Sequence, residues 1–336
     1  MSNDAPKPEW TGTAILVGVI GGSGLYKLEG IEIIDVVLPK TPWGFPSSPI
    51  SIARTPSGTL VAFLARHGLG HSISPSGVPS TANIAALKHL GARAILAFSA
   101  VGSLREEIAP KDFIVPSQLI DRTKGVRRAS YFGEGEEEHV VAHATFGEPF
   151  DVNLRPIVEG MCVLGAVMTL VLTCGSVREA LATYAPSVKV HSNKTAVCME
   201  GPAFSTRAES LMYRQMGADI INMSALPEAK LAREAELSYA DGNQMLTTAT
   251  DYDAWRESSD AVSVAEVIES LRANAEASQV VTKALIDHVA ELVRDGDAKI
   301  VRGAKNGMRH SIMTKPEHIE PQVLARLRYV LPWLGQ

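Results

Sequence analysis

Short apolar runs rich in Val, Ile and Ala alternate along this chain with longer stretches whose apolar residues recur every three or four positions. That alternation predicts strands and helices in turn, and so an α/β architecture. AILVGVI (Ala14–Ile20), LVAFLA (Leu60–Ala65), AILAFSA (Ala94–Ala100) and ADIINM (Ala218–Met223) each read as a buried strand, and a fifth strand-like run leads into TATDYD. Between them, Pro79–Gly91 reads as a helix capped by Ser80 or Thr81 and stopped by Gly91. Thr206 with Glu209 and Ser263 with Glu266 form the T/S-x-x-E pattern that opens helices, the second ahead of one long helical stretch ending near Val293. GEGEEEH (Gly133–His139) reads as a solvated loop, and the apolar LRYVLPWLG at the end of the chain reads as a docked segment. With no repeat and no linker, the pattern predicts one domain over residues 14–334, preceded by a flexible tail at 1–13.

Composition narrows the partners. The charged fraction of 21% and hydrophobic fraction of 46% suit a soluble globular chain. A net charge of −5 carries no basic footprint and argues against a nucleic-acid partner. The opening MSNDAPKPEW has no basic region followed by an apolar core, so no secretory signal is read there. Cys162, Cys174 and Cys198 form no CxxC pair, which argues against a zinc site or a disulfide framework and for a cytoplasmic setting. The most apolar stretch, Cys162–Cys174, is shorter than the roughly 20 residues of a spanning helix, so no membrane partner is expected.

The strand ends carry the candidate chemistry. The first runs into GGSGLY, where Ser23 sits among glycines whose N–H groups suit an anion. As a dinucleotide fingerprint this is incomplete, because Lys27 stands where a third glycine belongs. The second ends in Arg66-His67, offering a planar fork of donors and an imidazole. The third supplies Ser99 and the Ala100 N–H, the fourth Ser224 with Met223 beside it. Taken singly, these are tight turns, surface pairs or packing residues. Taken together, beyond the carboxyl ends of strands in an α/β sheet, they describe a pocket for one free phosphate. Asp251 and Asp253 stand two apart at the end of the fifth run, about 7 Å between Cα atoms if extended. Such a pair matches the acceptor at adenine N7 and the donors at N6, provided one carboxyl is protonated. A solvated turn is the plainer alternative.

In this order GGSGLY, LARHG, FSAVGSLREEI, DRT, VAHATFGEPF, CMEGPAFSTRAES, INMSALPEAKLAREAEL and ATDYDAW resemble the methylthioadenosine-cleaving branch of the trimeric purine nucleoside phosphorylase family, from about Ala14 to Val293. The resemblance implies a central mixed sheet flanked by helices, and a homotrimer with active sites at subunit interfaces. It implies phosphorolysis of 5′-methylthioadenosine to adenine and 5-methylthioribose 1-phosphate, with no metal or organic cofactor and phosphate as co-substrate. It assigns phosphate to Ser23, Arg66, His67, Ser99, Ala100 and Ser224, and catalysis to Asp251, Ser224 and His67. Met223 is then expected along the ribose, Phe204 against the base, and Asp251 and Asp253 on adenine, with Ser205 and Val264 at positions that separate methylthio from hydroxyl substrates. His143 and Val330 are expected to reach a substrate held by a neighbouring subunit, and the location is cytoplasmic with the nucleus as a second compartment. The rivals are a 6-oxopurine phosphorylase, a dinucleotide-dependent oxidoreductase and an inactive nucleoside-binding paralogue.

Two stretches break the pattern. Cys162–Ser176 is apolar on every face of a helix, and Asp241–Leu246 (DGNQML) is polar where a strand should lead to Asp251. Both read as gene-model errors such as retained intron sequence, or else as a lineage-specific hydrophobic extension.

Overall fold

A computed structural model describes residues 7, 9–21, 31–133, 135–137, 139–150, 188–239, 245–256, 263–273, 275–294 and 304–336. Its strands are β1 (Val17–Gly21), β2 (Glu32–Val37), β3 (Ile50–Arg54), β4 (Leu60–Ala65), β5 (Ala94–Ser103), β6 (Phe113–Asp121), β7 (Val190–Cys198), β8 (Ile220–Asn222), β9 (Ser238–Tyr239) and β10 (Met245–Asp251). The α-helices are α1 (Ser80–His89), α2 (Arg207–Gln215), α3 (Ala225–Glu234), α4 (Val264–Ala273), α5 (Ala275–Arg294) and α6 (Pro321–Leu327). Among the described residues the strands form one mixed sheet in the order β10-β6-β7-β8-β5-β1-β4-β3-β2, with β9 beside β5. β10 also pairs with β5, so β5, β8, β7, β6 and β10 close into a ring, a small barrel at one end of an open sheet.

The continuous apolar runs follow from burial on both faces. On β1 and β5, Val17, Val19, Ala94 and Leu96 pack against Val281, Leu285, Ile286 and Val289 of α5. The alternate residues Ile20, Ile95 and Ala97 face the opposite core with Ile84 and Leu87 of α1 and Leu231 of α3. This is the α/β fold, a central mixed sheet with flanking helices, that the pattern and the resemblance predict.

Leu60–Ala65 forms a strand at its expected limits, whereas the third predicted strand continues past Ala100 to Ser103. β2, β3, β6 and β7 lie outside the predicted set; β2 is half exposed, β6 carries Pro116, and β7 carries the polar run HSNKT. Both capping boxes form: Thr206 exchanges bonds with Glu209, and Ser263 with Glu266. The long stretch after Ser263 divides into α4 and α5. Pro79, not Ser80 or Thr81, occupies the cap position of α1, and both hydroxyl residues are buried in its first turn. Gly91 ends that helix as expected, at φ +101°, a conformation that a side chain disfavours.

The charge run is exposed at Gly133, Gly135, Glu136 and His139, as expected, and corrected at one position. Glu137 is fully buried, its carboxylate taken by Arg128 at 2.8 Å and by Arg326 of α6 at 2.6 Å. The C-terminal segment docks as expected, with Leu327, Leu331 and Leu334 in the core. Residues 162–176 lie outside the described residues. Of the polar run at 241–246, only Met245 and Leu246 are described, and they open β10 opposite Ala97 and Phe98.

Candidate active site

β4, β5, β8 and β10 deliver their functional residues to a single cavity of about 780 Å³. Eleven expected site residues line it: Arg66, His67, Ser99, Ala100, Met223, Ser224, Phe204, Ser205, Val264, Asp251 and Asp253. Ser23 lies outside the described residues. His143 is exposed and away from this cavity, its backbone N–H donating to the Ser311 carbonyl at 2.8 Å. Val330 corrects an expectation: it is fully buried among the chain's own core residues, so its side chain offers no surface to a neighbour.

The polar half of the cavity begins at the end of β4. Arg66 is almost wholly buried, its Nε and Nη2 meeting the two oxygens of Glu228 on α3 at 2.6 and 3.1 Å. Its Nη1 donates to the Phe98 carbonyl at 2.7 Å. Glu228 also accepts from the Tyr239 hydroxyl at 3.1 Å. Next to it, His67 Nδ1 lies 3.0 Å from the Ile73 carbonyl and the ring stacks on His71 at 4.4 Å. A carbonyl only accepts, so Nδ1 carries a proton, and a neutral ring leaves Nε2 as an acceptor. Burial, and then the adjacent Arg66 charge, pull the imidazole down to about 4.

Ser99 and Ala100 lie within β5 rather than beyond its end, and both line the cavity. Ser99 Oγ is 3.4 Å from Ser224 Oγ, which puts two hydroxyls side by side. Ser224 is held by the residue two before it. Asn222 Oδ1 accepts from the N–H groups of Ser224 and Ala225 at 3.1 and 3.2 Å, a side-chain cap at the start of α3. Arg127 braces the same turn through the Met223 and Leu226 carbonyls at 2.7 and 2.8 Å, while its Nε and Nη2 hold Glu200. Thus the segment leading to Phe204 is tied to Met223. Gly201 permits the approach, since a Cβ there would stand 2.7 Å from Met223 Sδ.

The acid pair occupies the other part of the wall. Asp251 ends β10 opposite Gly102 after a shift in register, and Asp253 follows in a turn. A Cβ on Gly102 would stand 3.2 Å from Asp251 Oδ1 and 3.3 Å from Asp253 Cβ, so glycine keeps this corner open. Burial, with Asp253 and Glu266 adding like charge, pushes Asp251 up to about 6, although the Thr250 hydroxyl at 2.6 Å opposes the rise. Burial also raises Asp253. The hydroxyls of Ser210 and Ser205 temper that rise, yet Asp253 Oδ2 is buried without a partner in hydrogen-bond geometry among the described residues. A buried, partnerless carboxyl oxygen facing a cavity invites a ligand donor.

Several lining residues were not read from the sequence. Val264, Val267, Ile268 and Leu271 form one stripe of α4 along the cavity; only Val264 was named, although the i, i+3, i+4, i+7 spacing was visible after the capping box. His71 and Thr250 also line it, each within a few residues of a named one. Glu228 and Arg127 had no local signal.

The sequence pattern of the Phosphorylase superfamily matches residues 16–287, and so takes in every strand just described. The chain belongs to the Phosphorylase superfamily. Among curated superfamily relatives, the S-methyl-5′-thioadenosine phosphorylase of Mycosarcoma maydis is 58% identical over 327 residues, covering 97% of both chains. That of Schizosaccharomyces pombe is 46% identical, covering 95% of this chain and 96% of its own. Among solved structures, a methylthioadenosine phosphorylase from an Antarctic soil metagenomic library superposes with a TM-score of 0.78 at 38% identity, covering 95% of this chain and 99% of that one. The Schistosoma mansoni enzyme in complex with adenine gives 0.73 at 31% identity, covering 89% and 99%.

Proposed function

We propose that this chain catalyses the phosphorolysis of 5′-methylthioadenosine, giving adenine and 5-methylthioribose 1-phosphate. The observation that carries the reading is the spacing within one cavity of two unlike groups. Asp251 faces Gly102, three residues along β5 from Ser99, so the acid pair and the paired hydroxyls stand about 10 Å apart at a rise of about 3.3 Å per residue. A nucleoside fits between them, with its base on the acids and its C1′ above the hydroxyls.

On this reading phosphate lies among Ser99, Ser224, the Ala100 N–H, His67 and Arg66; the family resemblance assigns Ser23 the same ligand. Arg66 is neutralised by Glu228, so the anion is held by fixed donors more than by net charge. His67 Nε2 accepts from a phosphate hydroxyl and turns the attacking oxygen towards C1′. Asp251, pushed up to about 6 by burial, keeps a protonated fraction available near neutrality and donates that proton to N7 as the glycosidic bond breaks. Adenine departs neutral, and phosphate offsets the oxocarbenium-like charge before bonding to C1′. Asp253 accepts from the base, Phe204 lies against it and Met223 along the ribose. Ser205, Val264 and the apolar stripe of α4 favour a thioether over a hydroxyl at the 5′ end, a preference of about 1–3 kcal/mol per contact. Phosphate is the second substrate, and no metal or organic cofactor is invoked.

The exposed His143 supports a homotrimer in which it reaches a neighbour's 5′ group. A cytoplasmic and nuclear location completes the reading. The decisive experiment measures adenine release by the purified chain with and without phosphate. Release from methylthioadenosine only when phosphate is present is expected. Equal use of inosine, or phosphate-independent release, overturns the reading.

A further inference from the structure

Thr250 is buried on β10 beside the acid pair, and its hydroxyl stands between two acceptors. Oγ1 lies 2.6 Å from Asp251 Oδ2 and 3.2 Å from the Val101 carbonyl of β5. A hydroxyl carries one proton, so it cannot donate to both. When Asp251 is ionised, Thr250 donates to Oδ2 and gives up its bond to the Val101 carbonyl. When Asp251 carries its proton on Oδ1, the oxygen left to serve N7, Oδ2 is an uncharged and weaker acceptor, and Oγ1 can donate to Val101 instead. The hydroxyl is held in place for this exchange, because the Thr250 carbonyl accepts from Ser270 of α4 at 2.8 Å. The Thr250 methyl group cannot substitute in either arrangement.

We infer that Thr250 is a positioning residue for the acid step: its hydroxyl rotates between the Val101 carbonyl and Asp251 Oδ2, so that Asp251 can change protonation state without moving. The inference rests on the proposed role of Asp251. The charged groups facing Asp251 are Asp253 in the turn and Glu266 on α4, while β5 presents Gly102 and Arg272 lies on the same cavity wall. Both carboxylates act to keep the Asp251 proton on; the Thr250 hydroxyl, and after it the Asp253 backbone N–H, favour its leaving.

The test compares Thr250→Val, which keeps the shape, with Thr250→Ser, which keeps the hydroxyl, using methylthioadenosine and phosphate across pH 5–9. With Thr250→Val, the alkaline limb of kcat/KM is expected to move up by about one pH unit, the size of a charge-assisted hydrogen bond to a carboxylate. Thr250→Ser is expected to restore the limb of the natural chain. The pH dependence of adenine binding gives the same readout if turnover by Thr250→Val is too slow to profile. Limbs that coincide for all three chains overturn the inference, as does an equal shift in both variants, which would implicate the methyl group. Asp251→Asn separates the two levels of argument. If it retains full activity, the role of Asp251 fails; if it is impaired while the Thr250→Val limb is unmoved, the Thr250 inference alone fails.

Discussion

Arg66 and Glu228 form a two-pronged ion pair, 2.6 Å and 3.1 Å long, with both side chains almost completely out of water. The pair fixes the plane of the guanidinium that closes one wall of the candidate phosphate cradle. A buried Arg left without its carboxylate costs about 3–5 kcal/mol, so Glu228→Ala should destabilise the fold severely. Glu228→Gln keeps an acceptor and the shape. It should raise KM for phosphate about tenfold, roughly the 1.4 kcal/mol of one weakened contact, and leave KM for the nucleoside nearly unchanged. Steady-state kinetics in both substrates, with thermal denaturation beside them, reads this directly. Equal rises in both constants would count against a phosphate-specific effect.

Asp251 is expected to set the choice of base. An ionised carboxylate, at Asp253 or at Asp251, repels the 6-oxo group of inosine and guanosine, whereas Asn at 251 presents a donor to it. Asp251→Asn should lower kcat/KM for methylthioadenosine about 100-fold, the lower range of a lost general acid, and raise the relative use of inosine. Competing the two nucleosides in one reaction and measuring the free bases gives the ratio. An unchanged ratio would contradict the assignment.

The same acid and His67 should bend stability with pH in opposite directions. His67 titrates at about 4 when folded, below its ordinary 6.5, so the unfolded chain binds the extra proton and stability falls as pH drops from 6.5 towards 4. Asp251 titrates at about 6, above its ordinary 3.8, so the folded chain holds the extra proton and stability falls as pH rises from 3.8 towards 6. Between pH 4 and 6 the two slopes oppose each other. Relative to the natural chain, Asp251→Asn should therefore lose stability more steeply on acidification, and His67→Asn more steeply on the way up, each by on the order of 1–2 kcal/mol once solvent screening is allowed for. Urea midpoints measured from pH 4 to 6.5 in phosphate-free buffer check both signs. Parallel curves for all three chains would refute the pairing.

His143 carries the prediction on assembly. If it completes a neighbour's 5′ subsite, specific activity should fall with dilution as subunits separate, and His143→Ala should raise KM for methylthioadenosine with KM for phosphate little altered. Light scattering run beside the assay ties activity to particle mass. A monomer with full activity would remove the shared-site reading.

The sequence by itself was enough for the fold class and for eleven residues of the candidate cavity, the acid pair among them. Arg66-His67 and Ser224 each follow a short apolar run, since strands buried on both faces are mostly apolar and turn polar where they reach the cavity, while Asp251 ends a threonine-rich strand. The colinear motifs added the family. The capping boxes at Thr206 and Ser263 were also legible, since each is complete within four residues. What the tertiary structure decided lies in partners far apart along the chain. Glu228 meets Arg66 across a separation of 162 residues, and no local pattern marks which of the chain's carboxylates will do so. β10 closes onto β5, which alone sets Asp251 against Gly102 and brings the Thr250 hydroxyl to Val101, 149 residues away. Glu137 was read as part of a solvated loop, and Val330 as reaching a neighbour's substrate, because a segment's composition does not reveal which of its side chains the rest of the molecule will cover; both are buried. Local sequence sets the period and the polarity of each element. Pairing across the sheet, and with it burial and hydrogen-bond supply, settles what each side chain can do.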